Sequence, residues 1–178
     1  MHSDEELMTA AARGDMSAFE TLAQRHQTSA WNLAFRLLGN AEEAEDVAQE
    51  AFLRILQAAS RYQPTAAFRT YLYRIITRLC YDQHRKPAPS DGLDPDAETS
   101  PQPAPDEIAL AAEQCRAVRE AVGSLPLQQR TAVILRYDQC LGYDEIAEVL
   151  GTSRKAVERL LARGKAALAK RLNRFLGE

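Results

Sequence analysis

Apolar residues return at intervals of three and four along most of the chain, the period of an amphipathic helix. Phe19, Leu22, Ala23, Ala30, Leu33, Ala34 and Leu37 predict a helix over residues 17–38. Ala44, Val47, Ala48, Ala51, Phe52 and Ile55 predict another over 41–59, after Gly39-Asn40. Phe68, Leu72, Ile75, Ile76, Leu79 and Cys80 give a third over 68–85, beyond a loop holding Pro64. Ile108, Leu110, Ala111, Cys115, Val118 and Val122 pattern a helix that Gly123-Ser-Leu-Pro126 ends. Residues 127–140, 143–150 and 154–171 complete the series. Ser3-x-x-Glu6 and Ser17-x-x-Glu20 match the capping box, in which a Ser side chain and a Glu exchange bonds with backbone N–H groups. The pattern predicts an all-α protein.

Two stretches break the periodicity differently. Residues 87–107 hold six prolines and six acids with no Lys or Arg. Such a segment cannot bury enough surface to fold alone and reads as a flexible linker. It divides the chain into small helical domains at 1–86 and 108–178. Gly151-Thr-Ser153 is instead a tight turn between helices. Gly151 can take a left-handed backbone, and Thr152 or Ser153 can cap the next helix. Beyond it Val157, Leu160, Leu161, Gly164 and Leu168 share one stripe, and Lys155, Arg159, Ala162, Arg163, Ala166 and Lys170 the opposite one. This is the form of a helix-turn-helix whose second helix enters a DNA major groove. A helical hairpin with a solvated charged face has the same pattern.

Charge sharpens the picture. The net charge is −3 over 178 residues, which argues against a simple nucleic-acid binder. Its distribution reverses that impression. Residues 1–59 carry ten acids and four arginines. Residues 60–86 carry Arg61, Arg69, Arg74, Arg78, Arg85 and Lys86 against Asp82 alone, and residues 151–178 carry eight bases against two acids. Two basic segments flanking an acidic linker suggest two contacts with one polyanion. The acidic front suggests a different partner.

Two helix faces carry the candidate chemistry. Asp46, Gln49, Glu50 and Leu53 project together opposite the core stripe of residues 41–59. A leucine among polar acceptors fits the centre of a protein interface; a solvated acidic face with a stray leucine is the plainer reading. On residues 68–85, Thr70, Tyr73, Arg74, Thr77, Arg78, Tyr81 and Arg85 share the non-core side. Aromatic rings can stack on unpaired bases while arginines hold phosphates, so this face suits a melted strand. Tyrosines that merely flank the core fit equally well.

Other functions find little support. No phosphate loop, G-x-S-x-G, H-E-x-x-H or paired His/Cys arrangement occurs, so neither catalysis nor a cofactor is expected. Cys80, Cys115 and Cys140 lack metal-ligand spacing and read as small, partly buried apolar residues; His2, His26 and His84 are as scattered, so no metal site is expected. No apolar run reaches the length of a membrane span and the acidic N-terminus is unlike a signal peptide, so no membrane insertion is expected and the compartment reads as cytoplasm.

Asp46-Val-Ala-Gln-Glu-Ala-Phe-Leu53, Phe68-Arg-Thr-Tyr-Leu-Tyr-Arg-Ile75, Leu125-Pro-x-x-x-Arg130, Tyr143-Asp-Glu-Ile-Ala-Glu-Val-Leu-Gly151 and Ala156-Val-Glu-Arg-Leu-Leu-Ala-Arg163 follow in order. Together they resemble the extracytoplasmic-function sigma factors of bacterial RNA polymerase, over nearly the whole chain. The resemblance implies that Asp46, Gln49, Glu50 and Leu53 dock core polymerase. It implies a −10 surface holding Tyr62, Gln63, Arg69, Thr70, Tyr73, Arg74, Thr77, Arg78 and Tyr81. It implies a −35 surface holding Arg136, Tyr143, Arg154, Lys155, Glu158, Arg159, Arg163 and Lys165. Promoter DNA and core RNA polymerase are then the partners, an anti-sigma factor is admitted as a third, and the cytoplasmic chain joins the nucleoid when in holoenzyme. Tyr71 stands where tryptophan is frequent, and Glu158-Arg159-Leu160 replaces a more basic run, so promoter sequence does not carry over. A helix-turn-helix regulator acting without polymerase would explain only the C-terminal half. A helical adaptor that binds protein alone would leave both basic faces solvated.

Overall fold

The computed structural model describes the backbone of residues 2–85 and 106–176, and the side chains of 2–85 and 113–173. The expected linker, residues 87–107, lies outside the described residues except for Asp106 and Glu107. Eight α-helices make up the described fold, with no strand among the described residues: α1 (Asp4–Ala12), α2 (Met16–Leu38), α3 (Ala41–Ala58), α4 (Phe68–Arg85), α5 (Asp106–Gly123), α6 (Leu127–Tyr137), α7 (Tyr143–Leu150) and α8 (Arg154–Leu176). A single 3-10 turn, Ala59–Arg61, follows α3.

The ends of the helices are set by short-range polar groups. Ser3 Oγ accepts from Glu6 N at 3.2 Å and Glu6 Oε2 accepts from Ser3 N at 2.9 Å, the reciprocal box read from the sequence. The Ser17/Glu20 box does not form. Asp15 caps α2 instead, its Oδ1 accepting from Ser17 N and Ala18 N at 3.0 and 3.1 Å. A carboxylate two residues upstream reaches the orphan donors and also takes the Ser17 hydroxyl. That hydroxyl bond and the backbone bonds hold Asp15 below its ordinary carboxylate range. Gly39 ends α2 at φ +78°, a conformation that costs a residue with a Cβ.

Helices α1–α4 close around Met8, Leu22, Leu33, Leu37, Ile55, Phe68, Leu72 and Ile76, each at most 1% exposed. Asp4 clamps α1 to α2, pairing with Arg25 and with His26 Nε2, the latter at 2.7 Å. Helices α5–α8 pack around Leu135, Leu141, Ile146, Val157 and Leu161. Here Gly164 lets α8 approach α6: a Cβ at this position would lie 2.9 Å from Val133 Cγ2.

Three expectations are corrected. Helix α6 stops at Tyr137 rather than Cys140, because Gln139 N and Leu141 N turn back to the carbonyls of Ile134 and Leu135. Cys140 then takes φ +55° in the bend. Cys140 and Cys115 are exposed, and only Cys80 is buried. Burial pushes the Cys80 thiol up to about 12. Val118 is likewise exposed, whereas Ala121 of α5 and Leu125 just beyond the helix are buried; α5 rests chiefly on α8.

Candidate polymerase and promoter interfaces

Helix α3 presents the acidic face the sequence predicts. Its core stripe, Ala44, Val47, Ala48, Ala51 and Ile55, is buried. Asp46 and Gln49 are exposed on the other side, Glu50 is half-buried, and Leu53 is 53% exposed. Glu50 Oε1 accepts from Arg54 Nε at 2.7 Å, and Gln49 Nε2 donates to Glu45 at 3.1 Å. Both bonds link residues four apart and hold the side chains along the helix, leaving Leu53 open. An exposed leucine beside fixed carboxylates can enter an apolar pocket whose rim is basic.

Helix α4 differs from its sequence reading. Thr70, Tyr73 and Thr77 do not face solvent: they are buried at 2, 1 and 3% exposure. Tyr81 is half-buried. The physical reason is that this face, though polar, is broad and carries aromatic and methyl-bearing side chains, and α6 and α7 cover it. Tyr73 Oη donates to Gln139 Oε1, and Tyr81 Oη donates to Thr131 Oγ1 at 3.1 Å. Burial raises both phenols above the ordinary tyrosine range. Arg74 and Arg78 remain exposed, and Arg69 is half-buried. The Arg74 guanidinium lies 5.4 Å from the centre of the Tyr71 ring.

Tyr62 and Gln63 lie at the end of the loop side of α4, in a cleft of about 240 Å3 with Arg61, Tyr71 and Arg74. Burial raises the Tyr62 phenol, whose Oη has no hydrogen-bond partner among the described residues. An aromatic floor and two guanidiniums offer stacking and phosphate neutralisation to one nucleotide, while Glu148 lines the same cleft.

The helix-turn-helix forms where the spacing places it. Gly151 takes φ +61°, and Ser153 Oγ accepts from Ala156 N at 3.2 Å to start α8. Val157, Leu161 and Gly164 are buried, while Lys155, Glu158, Arg159, Arg163 and Lys165 are exposed. The guanidiniums of Arg136 and Arg154 both stack on Tyr143, at 5.2 and 5.6 Å. Arg154 also pairs with Asp144 at 2.8 Å and with Glu158 at 3.5 Å. Lys165 turns to Tyr137, 5.4 Å from the ring, and this contact with the hydroxyl raises its ammonium above the ordinary range. Glu158 and Arg159 sit in the second turn of α8, within reach of base edges for a helix entering the groove near its N-terminus.

The acidic face on α3, the arginine and tyrosine face on α4 and the basic second helix of the helix-turn-helix, α8, thus occur in one chain. Residues 22–88 match Sigma-70 region 2, and residues 115–168 match Sigma-70, region 4. The ECF RNA polymerase sigma factor SigW of Bacillus subtilis is 31% identical over 171 residues, covering 90% of this chain and 91% of that protein. The chain belongs to the extracytoplasmic-function sigma factors. SigM of Mycobacterium tuberculosis is 32% identical over 175 residues, covering 96% of this chain and 85% of that one. The solved structure of CnrH with the cytosolic domain of CnrY superposes with a TM-score of 0.74 at 27% identity, over 97% of this chain and 98% of that one. The sigma factor RpoE of Bartonella quintana, solved with the anti-sigma factor NepR, shares the fold at a TM-score of 0.67 and 17% identity, over 87% and 96% of the two chains. This sigma factor binds core RNA polymerase and promoter DNA and directs transcription initiation. No described helix is long and apolar enough to cross a membrane.

Several residues of this sigma factor escaped the sequence reading. Thr131 and Gln139 bond Tyr81 and Tyr73 on α4, Asp138 pairs with Arg36 on α2 at 2.7 Å, and Arg130 Nη1 donates to Leu37 O on α2 at 2.9 Å. Their partners lie 50 or more residues away, and no local spacing marks such a pair. Arg61 and Tyr71 were legible as a base and an aromatic, but only the fold groups them with Tyr62.

Proposed function

We propose that the three faces divide the work of initiation. Asp46, Gln49, Glu50 and Leu53 dock core polymerase. Tyr62, Gln63, Arg69, Arg74, Arg78 and Tyr81 hold the opened −10 strand, joined by Thr70, Tyr73 and Thr77 once α6 and α7 move away. Arg136, Tyr143, Arg154 and Lys155 grip the duplex −35 backbone, with Arg163 and Lys165 farther along α8. Glu158 and Arg159 read its bases. Residues 1–86 and 108–178 act as separate domains on the two elements, joined by residues 87–107. The chain works by binding in the cytoplasm, not by catalysis. The solved relative bound to an anti-sigma factor supports a protein inhibitor as a further partner.

The observation that carries this reading is the exposure of Leu53 beside Asp46 and Glu50, which a DNA-only regulator would not need. Run-off transcription with added core enzyme on a genomic promoter library tests it. Specific starts that need both proteins support the division of work. A chain that shifts duplex DNA but gives no start with core enzyme would turn the reading toward a regulator acting alone.

A further inference from the structure

Glu5 on α1 reaches across 63 residues of sequence to the start of α4, where its Oε1 accepts from Phe68 N at 3.4 Å. The first turn of a helix carries N–H donors with no intrahelical partner. Nothing local serves this one. The residue before it, Ala67, has no side-chain acceptor, and its carbonyl accepts from Thr70 N and Tyr71 N at 2.9 and 3.2 Å. The neighbouring Asp4 braces the same junction. It pairs with Arg25 and lies 2.7 Å from His26 Nε2. The His26 ring in turn packs on Phe68, with ring centres 5.2 Å apart.

From Phe68 the contacts run into the cleft. The Tyr71 ring lies 6.5 Å from Phe68 and 5.4 Å from Tyr62, centre to centre. Tyr62 and Tyr71 are the aromatic lining of the cleft that Arg61, Gln63 and Arg74 share. Helix α1 also packs against the 3-10 turn Ala59–Arg61. It therefore holds both ends of the loop that carries Tyr62 and Gln63. Within that loop, among the described residues, the one backbone bond runs from Thr65 N to Gln63 O at 2.8 Å. The carboxylates also act on Tyr62: burial raises its phenol most, and Glu5 adds to this ahead of Tyr71 and Asp4. We propose that Glu5 is a positioning residue for strand capture, fixing the first turn of α4 through the Phe68 amide and, with it, the Tyr62–Tyr71 cleft. Glu5 acts through these rings and touches no base itself. A loop ordered before the strand arrives loses less freedom on binding.

This inference rests on the assignment of the cleft to the −10 strand, and the test separates the two. Full-length variants are assembled into holoenzyme on a promoter recovered with the wild type by run-off transcription. Glu5→Ala removes both acceptor and charge. Glu5→Gln keeps an acceptor at the same reach, and Glu5→Asp keeps the charge on a side chain too short for Phe68 N. Glu5→Ala and Glu5→Asp should cut permanganate reactivity of the −10 thymines roughly fivefold, the factor that the net worth of one intramolecular hydrogen bond corresponds to. Duplex binding at a temperature too low for melting should stay near wild type. Glu5→Gln should keep most of the reactivity. Its Tyr62 phenol, assigned by its loss in Tyr62→Phe, should nevertheless titrate at lower pH than in the wild type, because a neighbouring negative charge is gone. In the free chain, amide exchange over residues 62–71 should quicken in Glu5→Ala and Glu5→Asp but not in Glu5→Gln. Asp15→Ala removes the cap of α2 and controls for lost stability; it should leave thymine reactivity near wild type.

Wild-type reactivity in Glu5→Ala, where Tyr62→Ala and Arg74→Ala lose it, overturns the positioning role and leaves the −10 assignment standing. Equal losses in Glu5→Ala and Asp15→Ala reduce Glu5 to general stability and overturn it as well. A Glu5→Gln chain as impaired as Glu5→Ala makes the charge the acting feature and overturns the route through Phe68 N. If Glu5→Ala does not fold, Glu5→Asp carries the same reading. If neither Tyr62→Ala nor Arg74→Ala lowers reactivity, the −10 assignment of the cleft falls, and the role of Glu5 falls with it.

Discussion

Tyr81 on α4 donates its phenolic hydrogen to Thr131 Oγ1 on α6 at 3.1 Å, joining residues 50 apart in sequence. The hydroxyl bonds α6, and under the proposed −10 assignment the face of the ring stacks on an unpaired base, so substitution can separate the two. Tyr81→Phe should keep permanganate reactivity of promoter thymines near wild type. Tyr81→Ala should leave duplex promoter binding by holoenzyme nearly intact while reducing thymine reactivity, since stacking of about 1–3 kcal/mol per base is lost only after melting. Loss of duplex binding with normal melting would remove Tyr81 from strand capture.

Burial raises the phenols of Tyr62, Tyr73 and Tyr81, so their neutral forms favour the folded state. A raised acid contributes stability that is complete below the unfolded value near 10 and is lost as pH climbs through the folded value. Ultraviolet titration of the six tyrosines should therefore show a late-ionising group of three.

Glu50 is bonded to Arg54, and neither side chain contributes to the core. Glu50→Lys should leave the thermal unfolding curve close to wild type and weaken core-polymerase binding by about 2–5 kcal/mol, the cost of a lost interface charge partner. Fluorescence titration of labelled core enzyme measures it. Wild-type affinity in a folded variant would move the docking site elsewhere.

Arg159 is exposed on the second turn of α8 and makes no ion pair among the described residues. Arg159→Ala should relax the −35 preference by roughly 1–3 kcal/mol at one base pair while other positions keep their ranking. Selection from a randomised −35 library reads the change. A uniform loss across all sequences would make Arg159 a backbone contact.

Gly164 faces Val133 at a spacing no Cβ tolerates. Ala is the better helix former by about 1 kcal/mol, but overpacking costs about 1–3 kcal/mol, and valine has few rotamers with which to yield. Gly164→Ala should therefore lower stability in the wild type. In a Val133→Ala background the clash is gone and the same substitution should raise stability. Denaturant melts of the four chains close the cycle.

The period of apolar residues was enough to set the helices, because a helix must bury its own stripe whatever lies elsewhere. The start and end of α4, the Gly151 turn and the α3 face are all local properties and were legible in sequence. Capping was less so: Asp15 and Ser17 compete for the same orphan N–H groups, and geometry favours the carboxylate. Helix α4 marks the limit. Its stripe of Thr70, Tyr73, Thr77 and Tyr81 is amphipathic in a second direction, neither apolar enough to demand burial nor charged enough to forbid it. Whether such a face meets water, a strand or another helix depends on what the fold brings opposite. Thr131 and Gln139 carry no pattern of their own, so only the tertiary structure decided that they meet Tyr81 and Tyr73.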